Sequence, residues 1–447
     1  MSKFLFTVWP FAGHLHPAIA VGNALKARGH QIAFYTGASV RSVVEQEGFE
    51  FFPFQRVDEE RVTAITFSEF PYTPSLLRRL RNARRTGDKF REWLLDTIPS
   101  QVDDIDGVLS EWRPHALVTD FAFWSPILVL RETRQIPVAV LSVLAACFLP
   151  GPDVPFWGLG WPRPRNTRMR LRSQIFAKAS RLLSIGFRRQ VNAVRRKYSL
   201  SPLDCTVTEY IGRMPLYLVP SIREYDYNRR DLPPSVQYVG PCLWDNPDRV
   251  RSPDWLTRMR GDQPLVYVTE ATVGTSQSFL LKAAARALAD MPVQVVMTTG
   301  KQRNPAELGL GVLSANIRIE RYVPQSVLLP KTAAMVTVGG SGGVLAALKA
   351  GVPLVIAPTE WDRPENAQRV VEAGAGLRIV AEHCTPERLR AAVERILSEP
   401  LFRKNAQRLA DACARYGGPA RAAELLEDFS RAAAGDAVVR KAPQLRR

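Results

Sequence analysis

Twice along this chain, short apolar runs alternate with stretches of helical periodicity, and a proline-rich segment separates the two series. In the first series residues 4–9 form a compact apolar run. The loop PFAGHLHP follows, then a helix over about 17–28 that ends at Gly29, then a strand over 31–36. Strand, helix and strand in that order make a βαβ unit with a right-handed crossover. Residues 116–119 and 138–143 supply further strands. The segment DLPPSVQYVGPCLWDNP, residues 231–247, reads as the end of one domain and the approach to another. The alternation then restarts, with strands over 265–269, 293–298, 317–319, 333–338 and 354–357 and helices over 276–289, 343–350 and 365–373. Such alternation predicts parallel sheets covered by helices on both faces. The expected organisation is an α/β chain of two doubly wound, Rossmann-like domains, 1–235 and 259–430, joined by a linker over 236–258. A basic, mobile tail is expected over 431–447. Ligands of such domains bind beyond the carboxyl ends of the strands, so a cleft between the two sheets is the place to look for chemistry.

The length of 447 residues fits two cores of this kind. With 46% hydrophobic and 23% charged residues the composition excludes a disordered chain. No apolar stretch approaches the ~20 residues that span a bilayer. The first apolar run breaks at Pro10, too early for a signal peptide, so it reads as a buried strand and the expected location is cytoplasmic. Cys147, Cys205, Cys242, Cys384 and Cys413 form no CxxC pair and no cluster with histidine. Buried reduced thiols are expected, and neither a disulfide framework nor a metal site.

The net charge of +17 is concentrated in residues 76–91 and 163–197. Both stretches carry apolar residues at helical spacing, among them Ile175, Leu182, Leu183, Ile185 and Phe187. Solvated helix faces account for this pattern, and so does peripheral association with a membrane surface. No nucleic-acid-binding motif accompanies the charge, so a nucleic-acid partner is not expected.

One segment is more specific. RYVPQSVLLPKTAAMVTVGGSGGVLAALKAGVPLVIAPTEWDRPENAQRVVEAGAG, residues 321–376, resembles the donor-site segment of family 1 glycosyltransferases. WPFAGHLHP resembles that family's amino-terminal G-H-x-x-P loop, VTDFAFWSP its segment with a partner aspartate, and YVTEATVGT the first strand and turn of its donor domain. The resemblance implies a GT-B fold, two Rossmann-like domains facing across a cleft. It also implies inverting sugar transfer from a nucleotide-sugar co-substrate to a hydrophobic natural-product or lipid acceptor, without a further cofactor or a metal. His14 would be the general base, because a neutral imidazole titrates near working pH. Asp120 would orient it and stabilise its cation. His16, two residues on, would have a different aim. Donor contacts carried over are Thr272, Tyr322, Gln325, Gly339, Gly340, Ser341, Gly342, Gly343, Asp362 and Arg363. Phe123, Trp124, Phe148, Phe156 and Trp157 would border the acceptor, where aromatic rings suit a large apolar molecule.

The donor half departs from the family pattern. Val338 stands where the family has its diphosphate histidine, Gly343 where it has Ser or Thr, and Ala346 where it has the ribose-binding Glu. Arg363 replaces a Gln, and Ala271 the glycine of a turn. Lost hydrogen bonds to charged groups are worth roughly 1.5–3 kcal/mol each. Three of them would weaken a nucleotide-sugar by about 10³-fold or more. An altered donor site is one expectation. The alternatives are a repurposed enzyme doing acid–base chemistry on a single hydrophobic substrate and, less attractive, a non-catalytic helper that need not keep His14 and Asp120 together.

Overall fold

The structure is a computed structural model that describes residues 1–67, 87–145, 149–151, 154, 155, 157–245, 252–259, 261–270, 278–300 and 303–441, the last eight without side chains. Among these residues two parallel sheets form. The first has seven strands: β1 (Lys3–Thr7), β2 (Gln31–Thr36), β3 (Glu50–Pro53), β4 (Ala116–Asp120), β5 (Val138–Leu141), β6 (Leu216–Val219) and β7 (Val236–Tyr238). Their order is β3-β2-β1-β4-β5-β6-β7. The second has six: β8 (Leu265–Thr269), β9 (Gln294–Thr298), β10 (Ile317–Glu320), β11 (Thr332–Thr337), β12 (Leu354–Ile356) and β13 (Gly376–Arg378), in the order β10-β9-β8-β11-β12-β13. This is the GT-B arrangement.

Strand periodicity divides the cores. Leu5 packs on one face of the first sheet with Tyr35, Leu117 and Val140, while Phe4 and Phe6 pack on the other with Phe34 and Val118. Strands buried on both faces read as continuous apolar runs, which is why the sequence locates them closely. Strand order reverses between β1 and β4 in one sheet and between β8 and β11 in the other. The loops leaving these four strands therefore open on the cleft.

Strands β3, β6 and β13 are not among the expected strands, and three further elements differ from expectation. The helix after β1 spans Ala12–Ala27 and starts five residues before Pro17, so His14 stands in its first turn and not in a loop. Proline suits the first helical position, but here Pro17 lies inside, where its missing N–H removes one bond of the ladder. Strand β7 extends the first sheet into the segment expected as linker. The last helix, Pro419–Lys441, runs through position 431 where a tail was expected, carried by the alanine-rich run Ala432 to Ala434. It crosses back to the first domain, burying Ala422, Ala423 and Leu426 with Phe4, Phe6 and Leu25. Glu427 receives Arg28 at 2.7 Å and His30 at 2.7 Å there.

The two domains also meet through a buried charge pair. Arg369 Nε donates to Asp226 Oδ1 at 2.9 Å, and Tyr238 Oη donates to Asp226 Oδ2 at 2.8 Å. Such a pair is costly to break because either partner alone would be a buried, uncompensated charge. Cys205, Cys242 and Cys413 are buried free thiols and Cys384 is half-buried, while Cys147 lies outside the described residues. No helix among the described residues is long and apolar enough to cross a membrane.

Candidate active site

His14 and Asp120 come from the two sides of the first switch point, one in the helix after β1 and one ending β4. His14 Nδ1 and Asp120 Oδ2 share a short hydrogen bond. Asp120 is buried, and its Oδ1 accepts from the Ala122 amide at 2.7 Å, which fixes the carboxylate before the imidazole arrives. Phe121 lies parallel to the imidazole at 6.1 Å and Phe11 stands edge-on at 5.9 Å. The His14 side chain remains 18% exposed and lines the cleft. With Nδ1–H committed to Asp120, Nε2 carries the lone pair of the neutral ring. Burial works to lower the His14 pKa, but the charge and hydrogen bond of Asp120, joined by the charge of Asp362 across the cleft, raise it above the ordinary histidine value. His16 lies against the Trp244 ring at 4.9 Å, and both border the same cavity.

The other wall is built at the second switch point. The helix Ser341–Lys349 begins at Gly340, and Ser341, Gly342 and Gly343 border the cavity at its first turn. Gly339 must be glycine: its φ is +92°, and a Cβ would lie 2.7 Å from Ile356 Cγ2. Asp362 is held by the Ser341 hydroxyl and by Asn366 Nδ2 at 2.8 Å, and the same amide reaches Gly339 O at 3.0 Å. Tyr322, Gln325 and Arg363 border the same cavity. Arg363 is buried, with Thr359 accepting from it and Glu360 at 3.6 Å. Burial lowers its pKa, against the pull of Glu360, Asp362 and Glu270. Of the departures noted above, Gly343 and Ala346 border the cavity, and a Cβ at 343 would meet nothing nearer than 3.5 Å. Val338 instead packs into the core with Val336 and Val355. Thr272 and Ala271 lie outside the described residues.

Of the aromatic residues expected at the acceptor, Trp124 and Trp157 border the cavity. Phe123 does not, because it is fully buried against Trp9 at 4.7 Å and Tyr35 at 5.9 Å, while Phe121, Ala122 and Trp124 around it border the cavity. Phe148 and Phe156 lie outside the described residues. The loop carrying Trp157 is tied to the second domain: Glu365 Oε1 accepts from the Gly158 and Gly160 amides, both at 2.7 Å, and Arg378 donates to Gly160 O at 2.7 Å.

Two features escaped the sequence reading. Trp361, with φ +63°, reaches from the second domain into the first, edge-on to Phe90 at 5.8 Å and Trp93 at 5.9 Å. Glu270 and Arg303 form an ion pair of 2.8 Å on the donor wall. Glu270 Oε1 also caps the helix Phe279–Ala287 through the Leu280 amide at 2.8 Å. Arg303 is pinned through Nε to Thr299 O at 2.8 Å and through Nη1 to Ser278 Oγ at 3.0 Å, while its buried Nη2 has no hydrogen-bond partner among the described residues. Register is the signal that would have found the pair: Thr269 lies opposite Thr298, so the residues just beyond both strands meet. Among the described residues no group of three or more His, Cys, Asp or Glu could hold a metal ion.

An imidazole held by a buried carboxylate shares one cavity with a helix amino terminus and two guanidinium groups; comparison with known proteins gives the chain its class. Residues 11–97 match the glycosyltransferase family 28 N-terminal domain, and residues 282–429 match the erythromycin biosynthesis protein CIII-like C-terminal domain. The chain is 34% identical to 4'-demethylrebeccamycin synthase of Lentzea aerocolonigenes over 431 residues, 95% of this chain and 99% of that one. Its fold is similar to the glycotransferase of kitacinnamycin (TM-score 0.71, 24% identity, 96% and 99% of the two chains). It is also similar to CalG4, the calicheamicin glycosyltransferase (TM-score 0.69, 23% identity, 96% and 98%). The chain belongs to the GT-B-fold glycosyltransferases related to families 1 and 28.

Proposed function

We propose that the protein transfers a sugar from a nucleotide-sugar to a hydroxyl group of an apolar natural-product acceptor, with inversion at the anomeric carbon. The observation that carries this reading is the His14–Asp120 pair facing, in the same cavity, the amino terminus of the helix Ser341–Lys349. His14 Nε2 takes the acceptor's hydroxyl proton as that oxygen bonds to the anomeric carbon. The bond from that carbon to the diphosphate oxygen breaks, and its electron pair leaves with the diphosphate. Asp120 stabilises the imidazolium so formed.

The leaving group needs charge stabilisation on the opposite wall. The amides at Ser341, Gly342 and Gly343 supply part of it, since a helix amino terminus favours an anion by roughly 0.3–1 kcal/mol. Arg303, which borders the cavity and whose Nη2 has no partner among the described residues, supplies a further donor, and Arg363 adds positive charge on the same wall. Together they stand in for the histidine and hydroxyl that this chain replaces with Val338 and Gly343. Tyr322 suits a nucleobase, Asp362 suits sugar hydroxyls, and Trp124 and Trp157 suit an apolar acceptor. The location expected from sequence, cytoplasmic, belongs with this reading.

Calorimetric titration with UDP, dTDP, GDP and their sugar conjugates tests the reading. Micromolar binding of one nucleotide is the expected result. Silence across the panel would overturn it in favour of acid–base chemistry by His14 on a single bound substrate.

A further inference from the structure

Residues 163–197 hold 12 Lys and Arg and no Asp or Glu. Within them the helix Thr167–Leu183 packs inward through Ser173, which is buried, and through Met169, Phe176 and Ser180, which are half-buried. Its opposite side is unlike a solvated face. Leu171 and Ile175 are each 56% exposed and Leu182 is 68% exposed. Spacings of four and seven residues put these three on one ridge, within about 40° of arc at 3.6 residues per turn. Arg168 and Lys178 stand on the same ridge at spacings of three and four from its apolar members, and both are exposed. Neither forms an ion pair among the described residues, whereas Arg181 is engaged by Glu209 and Arg172 lies over the Trp161 ring at 4.2 Å.

An exposed line of large aliphatic side chains is a loss in water unless something covers it. The charge around it says what fits: a surface that accepts apolar side chains and carries dense negative charge beside them. That is the headgroup–acyl boundary of an anionic bilayer, into which Leu and Ile insert while Arg and Lys stay at headgroup level. We infer that the helix Thr167–Leu183 docks the protein on anionic membrane surfaces through the ridge Arg168, Leu171, Ile175, Lys178 and Leu182. The position has a use. Ser180 of this helix and Ser184 and Phe187 just beyond it border the cavity, so docking sets the acceptor end of the cleft beside the bilayer, where an apolar acceptor accumulates. The inference does not depend on sugar transfer.

Co-sedimentation with vesicles tests it, using the full-length protein. Vesicles of phosphatidylcholine mixed with phosphatidylglycerol should retain the protein, and vesicles of phosphatidylcholine alone should not. Raised salt should weaken retention, as screening of surface charge requires. The triple variant Leu171→Asp, Ile175→Asp, Leu182→Asp should partition at least ~10-fold less, from loss of apolar insertion and added repulsion. It should also keep the wild-type thermal unfolding and nucleotide affinity, because all three side chains are exposed. Arg168→Gln with Lys178→Gln should give a smaller loss that disappears at high salt. No retention on anionic vesicles overturns the inference, as does equal retention of the triple variant. A change of oligomeric state in the triple variant, seen by size-exclusion chromatography, would also overturn it by making the ridge a protein contact.

Discussion

On the amino-terminal wall of the cleft, one side chain faces solvent and everything behind it is buried and bonded: His14 rests on Asp120, and Asp120 rests on the Ala122 amide. On the carboxyl-terminal wall the donors are backbone amides at the start of a helix and guanidinium groups that are themselves committed to Glu270, Thr359 and Glu360. The first wall concentrates its chemistry in one atom. The second spreads it over many groups, so the loss of any one of them should cost less than the loss of His14. On the proposed reading, this difference would let a chain keep His14 as its base while its nucleotide contacts change.

Removal of His14 should give the largest effect. His14→Ala is expected to lower kcat by about 10²–10⁴-fold, the usual worth of a general base, with nucleotide affinity unchanged. Full activity in single-turnover assays would dissolve the contrast between the walls. Asp120→Asn should slow the reaction too, and the pH profile distinguishes its role. The Asp120 charge raises the His14 pKa, and the base works only when neutral, so the acid limb of kcat/KM should lie above the ordinary histidine value. In the Asn variant that limb should move to lower pH. By the same linkage the pair stabilises the fold fully below the unfolded histidine value, and that contribution fades as pH rises through the folded one.

On the donor wall the expected changes are smaller. Arg303→Gln should weaken nucleoside diphosphates by about 10- to 100-fold, the worth of one charged hydrogen bond, and leave the free nucleoside unaffected. Equal weakening of both in calorimetry would make Arg303 a structural residue. Adding back hydrogen-bonding groups at the cavity, Gly343→Thr with Ala346→Glu, should tighten binding by about 10-fold. Position 343 has room for the added side chain. Val338→His should instead lower the melting temperature, because Val338 is 1% exposed and packs in the core.

The difference between the walls also governs what the sequence made legible. Nine of the thirteen described strands are apolar runs that could be read within a residue or two, and their order implies the two-sheet architecture; β3, β6, β7 and β13, of three or four residues each, were not legible. His14 and Asp120 were legible because each follows a strand at a recognisable motif. The helix start was misread because Pro17 mimics a first-turn proline. Glu270–Arg303 was not legible, since the pair depends on the register of β8 against β9. Trp361 depends on how the domains face one another. Phe123 and Trp124 are neighbours of the same type, and only the turn after β4 decides that one fills the core and the other borders the cleft.

The returning helix Pro419–Lys441 has a practical consequence for exchanging parts between relatives. The chain leaves the first domain near Gly240 and re-enters it at Gly418, and the two crossings touch: the Gly418 amide donates to Val239 O at 2.7 Å, and Tyr416 packs against Gly240. A chimera that swaps everything after the first crossing would import a foreign last helix onto Phe4, Phe6 and Leu25 and separate Glu427 from Arg28 and His30. Splicing at both crossings, with the native last helix restored, would keep the first core intact, while Ile222 and Tyr225, which pack into the second core from before the first crossing, would have to be matched to it.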